Sequence, residues 1–171
     1  MLSVTYRMRA GVGAAQLRSW QETWIHESLH GGGAGHETLD GVFETNLHTE
    51  SAQQEWQPLF LLLLDYKKFF DFIIQDIVWG LATWWGIPKG IGRLLKSFYL
   101  NLVSTFKFNG HFGKPWKRTN SLAQGCSFSM MLVNMPVTTW AQAVLHNLHP
   151  KVASISAYVD DKAMRSSSWN T

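Results

Sequence analysis

Three acidic residues stand where strands should end, and acids so placed can do metal-dependent chemistry. Asp65 closes the aliphatic run Leu59-Phe60-Leu61-Leu62-Leu63-Leu64, and Asp160-Asp161 closes Ala157-Tyr158-Val159. Carboxylates that converge from different strands clamp two divalent cations roughly 3.5–4 Å apart, which stabilises the attacking and leaving oxygens of a phosphoryl transfer. Mg²⁺ suits such a set because it is hard, takes oxygen ligands and keeps positions for water and substrate phosphates; carboxylate sites also take Mn²⁺. An acid at a strand end also serves simply to open a turn, so the surrounding residues must decide between the two roles.

The elements that position these acids read as follows. The run 59–64 follows Pro58 and predicts a buried central strand. From Phe69 the period changes: Phe69, Ile73 and Ile77 form one i, i+4 row and Phe70, Ile74 and Val78 the next, which predicts a helix stopped by Gly86, Pro88 and Gly90. Ile91, Leu94, Leu95, Phe98 and Leu102 form the stripe of a second helix. Phe106, Phe108 and Phe112 flank Asn109-Gly110, a hairpin signal. Residues 120–129 read as a loop, and the stretch to His146 as a helix that Pro136 kinks or delays. Val152–Val159 is strand-like, with a return strand at Lys162–Arg165. The chain thus has a helical but looser, polar start over residues 1–58, followed by β-α-α-β-β-α-β-β, an α+β pattern.

Composition narrows the field. The 171 residues suffice for one domain with a real core, 46% are hydrophobic, and the net charge of +3 permits a nucleic-acid partner without demanding one. The lone Cys126 forms no internal disulfide. With no basic-then-apolar leader, it favours an intracellular, reducing compartment over secretion. The aliphatic run is too short to span a bilayer, so no membrane partner is expected. The 9 Trp are expected mostly in the core or on a stacking surface.

The residues around the acids resemble the reverse transcriptases, especially those of non-LTR retrotransposons and group II introns. Leu64-Asp65-Tyr66-Lys67-Lys68-Phe69-Phe70-Asp71 is similar to the first catalytic motif, D-x-x-K-A-F-D, with Phe69 for the small residue. Asn120-Ser121-Leu122-Ala123-Gln124-Gly125-Cys126-Ser127-Phe128-Ser129 resembles the G-L-P-Q-G-x-x-x-S loop, with Ser121 for the first Gly and Ala123 for Pro. Ala157-Tyr158-Val159-Asp160-Asp161 matches Y-x-D-D. Less firmly, Val4-Thr5-Tyr6-Arg7 and the stretch 30–40 are similar to the finger pattern G-F-R-x-G-R-x-T-x-D, with Gly33 and His36 where it has arginines.

The resemblance implies a partial right-hand polymerase: a fingers segment over 1–58, then a palm-type antiparallel sheet packed on helices over 59–171. It implies no thumb, because ten residues follow Asp161, and therefore a chain that is poorly active or inactive by itself. Asp65, Asp160 and Asp161 would be catalytic and hold two Mg²⁺ ions, with the Tyr66 carbonyl as a further ligand. Phe70 would lie under the nucleotide sugar, Gln124 and Gly125 would line the nucleotide and template site, and Tyr158 would support the primer end. The partners implied are an RNA template, a DNA or RNA primer and deoxynucleoside triphosphates. Lys68, Lys107, Lys114, Lys117 and Arg118 serve either phosphate contact or plain solvation. Geometrically, Asp65 and Asp160 are expected on adjacent strands, with Gln124 in the same cleft.

A second motif belongs to another class. The stretch His26-Glu27-Ser28-Leu29-His30 to His36 fits H-E-x-x-H-x-x-G-x-x-H, the signature that metzincin zinc proteases carry. On a helix, His26 and His30 would share a face, Glu27 would activate a zinc-bound water, and a turn at Gly33 would return His36. The absence of a preceding sheet and of a clear Met-turn ranks this alternative below the polymerase, and the departures at Gly33 and His36 keep a non-catalytic nucleic-acid-binding remnant open as a reading of the same palm.

Overall fold

The computed structural model describes residues 2–33, 35–147 and 153–167, so Ala34 of the histidine motif and Val152 of the expected last strand lie outside the described residues. The elements are α1 (Val4–Gln16), α2 (Arg18–Gln21), α3 (Thr38–Gln54), β1 (Phe60–Leu64), α4 (Phe69–Phe72), α5 (Gln75–Trp84), α6 (Lys89–Asn101), β2 (Val103–Ser104), β3 (Lys107–Phe108), β4 (His111–Phe112), β5 (Trp116–Lys117), α7 (Ser127–Asn147), β6 (Ala153–Tyr158) and β7 (Asp161–Ser166). The α+β expectation holds: β1, β7 and β6 form an antiparallel sheet in that order, and β2–β5 and β3–β4 are separate two-stranded pieces.

The spine of the core is α7. Its residues Met131, Leu132, Val133, Met135, Val137 and Ala141 are buried, and α1, α5 and β6 pack around it. Pro136 sits inside this helix. It forfeits one backbone hydrogen bond, but apolar contacts on both sides of the break hold the helix through it, so Pro136 does not mark a late start.

Residues 1–58 are less loose than their polarity suggested. Ser3 caps α1 by accepting from the Tyr6 N–H at 3.2 Å, and α3 opens with a capping box in which Glu37 N–H donates to Asp40 Oδ2 at 2.6 Å. The glycine stretch between them is pinned from the core, since Asn134 Nδ2 donates to Gly31 O and Gln21 Nε2 to Gly32 O, each at 2.7 Å.

The strand β1 is at the sheet's edge rather than its centre, and it is exposed, Leu63 to 68%. A uniformly apolar run signals a strand but not what covers it, and the central position belongs to β7. The helix after Phe69 is also not continuous. It breaks at Ile73 and Ile74, which take extended backbone, because the loop at 121–122 captures its carbonyls: Leu122 N–H donates to Phe70 O at 2.9 Å and Ser121 N–H to Ile73 O at 2.8 Å. Gly90 does not stop α5 but lies inside α6, where the buried positions are Leu95 and Tyr99 while Leu94 faces solvent. The expected turn is present, with positive φ at Asn109 (45°) and Gly110 (82°) as a type I′ hairpin requires, although Phe106, Phe108 and Phe112 around it are exposed. Trp24 and Trp79 are core residues and Trp56 and Trp84 are exposed, so the tryptophans divide between the two.

Candidate active site

The register of the sheet brings two of the sequence-predicted acids to one end. Leu64 pairs with Lys162 and Tyr158 with Asp161, so Asp65, just beyond β1, comes opposite the start of β7, and Asp160 sits in the turn that joins β6 to β7. A cleft of about 400 Å³ between α3 and the sheet is lined by Asp65, Tyr158, Asp161, Lys162, His30 and Thr38 among others. Asp160, Gln124, Gly125 and Phe70 are not part of its lining.

The turn carries strain at its first residue. Val159 has φ +57°, a left-handed conformation that costs a β-branched residue about 1–3 kcal/mol. It is held there by packing: a Cβ on Gly31 would lie 3.2 Å from Val159 Cγ2, so glycine at position 31 makes room for the valine. Lys162 locks the same turn. Only 4% exposed, its ammonium donates to Val159 O at 3.3 Å and lies over the rings of Tyr66 (4.1 Å), Phe69 (4.7 Å) and Trp140 (5.6 Å). Burial pushes the Lys162 ammonium down to about 8, with the charges of Asp160 and Asp161 acting the other way. The sequence reading missed this cage, because its lysine and its rings at 66, 69 and 140 are brought together only by the fold.

The loop at 120–126 is a rigid appendage of the α4–α5 junction. Asn120 bridges to Ile74, Gln75 Nε2 donates to Ser121 O at 2.9 Å, and Arg118 reaches Asp71 at 3.3 Å and Ser121 Oγ at 3.2 Å. Ser121 has φ +87°, in the position where the resembled motif has glycine. Ser129 ties the loop to the core, since its Oγ donates to Ala123 O at 2.8 Å and pairs with the Tyr99 hydroxyl at 2.9 Å. Gln124 and Gly125 are exposed, and Phe70 packs against the core.

The histidine motif does not form the protease arrangement. Residues 26–30 are turn and bridge rather than helix, Leu29 pairs with Ala157, and His26 Nδ1 bonds Ser28 Oγ at 2.8 Å. What gathers instead is His30, His36 and Asp40, whose ligating atoms lie within 4.8 Å of one another. Among the described residues, the three aspartates at the sheet's end form no comparable group. The donor set of Asp65 and Asp161 nevertheless suits a hard divalent cation, two carboxylates from adjacent strands in a cleft open enough for a phosphate-bearing substrate.

The antiparallel sheet thus delivers Asp65 and Asp161 to a cleft roofed by a helix. The sequence matches the family model "Reverse transcriptase (RNA-dependent DNA polymerase)" over residues 1–170. The chain belongs to that family and is a reverse transcriptase-like domain. No curated protein matches it in sequence. Among solved structures it is similar to apo telomerase from Candida tropicalis truncated from the C-terminal domain, at 14% identity and TM-score 0.64, covering 97% of this chain and 34% of that one. Telomerase from Candida albicans in complex with a TWJ fragment of telomeric RNA is also similar, at 14% identity and TM-score 0.69, with coverage of 94% and 30%. At this identity the likeness is one of fold, and the chain spans about a third of the length of these proteins.

Proposed function

We propose that the chain is the fingers-and-palm portion of an RNA-directed DNA polymerase, residues 1–58 contributing fingers and 59–171 the palm. The observation that carries this reading is the placement of Asp65 and Asp161 in one cleft by the pairing of β1 with β7, with Asp160 in the adjoining turn. Asp65, Asp160 and Asp161 would hold two Mg²⁺ ions, or Mn²⁺, which supply charge neutralisation for attack of a primer 3′-hydroxyl on the α-phosphate of a deoxynucleoside triphosphate, with pyrophosphate leaving.

The remaining residues position this chemistry. Lys162 fixes the turn that carries Asp160, Tyr66 packs on that lysine, and Tyr158 lines the cleft where the primer end would rest. Gln124 and Gly125, exposed on their anchored loop, would meet nucleotide and template, and Phe70 the sugar. The motif resemblance supports a mobile-element source of the non-LTR or group II type.

The test is extension of a primed RNA template with Mg²⁺, by the chain alone and joined to a thumb from a related reverse transcriptase. Synthesis should be lost in Asp65→Asn and Asp160→Asn. Equal extension by these variants would overturn the assignment of the acids. Template binding without extension by any form would establish a non-catalytic binding domain instead.

A further inference from the structure

The buried imidazole of His30 presents a problem of hydrogen-bond accounting. The residue is 9% exposed, and Nδ1 has no partner among the described residues. Its other nitrogen, Nε2, lies 3.3 Å from Glu44 Oε2, and Glu44 Oε1 is in turn held by Arg165 Nη1 at 2.8 Å. A carboxylate at Nε2 fixes the proton there, which leaves the Nδ1 lone pair buried and unused. Leaving a buried acceptor unsatisfied is costly.

Two further ligands stand beside it. The ligating atoms of His36, His30 and Asp40 lie within 4.8 Å of one another. A second cleft of about 350 Å³ is lined by His30, His36, Glu37 and Tyr158 among others, with Asp40 outside its lining. We infer that His30, His36 and Asp40 form a binding site for a first-row divalent transition ion of the Zn²⁺ class, independent of the catalytic acids.

The chemistry of the donors supports this choice. Two imidazoles and a carboxylate suit Zn²⁺ and its neighbours, whereas Mg²⁺ takes oxygen alone. A carboxylate behind a ligating histidine is the usual outer support of such sites, setting the tautomer and the ring's orientation. Asp40 has one oxygen committed to the Glu37 N–H, so it ligates through the other. Bonds of about 2.0–2.1 Å in a tetrahedral set put ligands roughly 3.3 Å apart. The closure this requires falls chiefly on His36, which is exposed, since Asp40 is half-buried and held through its capping bond to Glu37. Water takes the fourth position.

Such an ion would clamp the fingers segment to the sheet. His30 N–H donates to Ala157 O at 2.9 Å, on the strand that leads to Tyr158 and Asp160, while His36 and Asp40 lie at the start of α3. The set also explains why the zinc-protease spacing is only partly used, since His26 is bonded to Ser28 and stands outside it.

The experiment is isothermal titration of the chelator-stripped full chain with ZnCl2, followed by melting with and without the metal. One Zn²⁺ per chain and a raised Tm are expected, with visible d–d bands when Co²⁺ replaces it and no displacement of the bound Zn²⁺ by MgCl2 at equal concentration. His36→Ala, at an exposed position, and Asp40→Asn, which keeps the oxygen that caps α3, should each weaken binding at least tenfold, and His26→Ala should not change it. Absence of stoichiometric binding by the folded chain, or binding that survives the double variant His36→Ala/Asp40→Asn, overturns the site.

Discussion

The pairing of Glu44 with Arg165 fastens α3 to β7, and its removal should be felt by the whole domain. Arg165 is 3% exposed, and its guanidinium has two side-chain contacts of note: Ser156 Oγ, to which Nη2 donates, and Glu44. Its Nε has no partner among the described residues. Substituting Glu44→Ala therefore strands a buried cation. Breaking a fully buried pair from one side costs about 3–5 kcal/mol. The Glu44 side chain is 34% exposed, so water can reach the gap, and about 2–3 kcal/mol is the appropriate expectation. For a chain of this length that lowers Tm by roughly 5–10 °C. Urea denaturation in EDTA, followed by circular dichroism, measures it free of any metal contribution. A cycle completed with Arg165→Met should show coupling above about 1.5 kcal/mol. A Glu44→Ala loss within about 0.5 kcal/mol of zero would show that the guanidinium is solvated and that α3 is held by other contacts.

Other expectations follow from backbone and burial. Gly80, in α5, has open space where a Cβ would stand, so Gly80→Ala should stabilise by about 0.5–1 kcal/mol, whereas Gly13→Ala would put a Cβ 2.7 Å from Phe128 Cζ and should destabilise by about 1–3 kcal/mol; urea midpoints that move in the same direction would contradict the helix packing. Ser121→Gly should relieve a left-handed backbone and gain about 1 kcal/mol, less the small contact with Arg118, while Ser121→Ala should gain nothing. Burial pushes the Tyr99 hydroxyl up from 10.0 to about 12. The folded chain then holds a proton that the unfolded chain has released, so stability is whole below pH 10 and falls by about 2–3 kcal/mol as the pH rises through that window. Burial first and Cys126 next push Tyr6 the same way. Urea midpoints measured from pH 9 to 12 should show this slope, flattened in Tyr99→Phe.

Where local pattern and tertiary placement coincide, the sequence was legible. The acids at the ends of β1 and β6, the hairpin at Asn109-Gly110 and the long helix before His146 each depend on residues near in the chain. The break at Ile73–Ile74 depends on amides nearly fifty positions away, which no periodicity records. The exposure of β1 escaped notice because apolarity tells which residues prefer burial and not whether partners reach them. The H-E-x-x-H spacing misled for a related reason: it assumes a helix, and the carbonyl and amide of Ala157 hold residues 28–30 in a bridge instead. Lys162 gave no signal as a buried cation because its neutralising surroundings are rings drawn from three distant positions.

The open side of β1 has a consequence for the behaviour of this polypeptide in solution. Along Leu61, Leu62 and Leu63 a row of main-chain donors and acceptors faces outward beside leucine side chains, and neither a proline, a lysine nor a bulge interrupts it. Natural sheets blunt such borders because they recruit foreign strands. A concentrated preparation should therefore grow by strand addition, chain upon chain, at a rate that rises with protein concentration and falls when Leu62 is replaced by lysine.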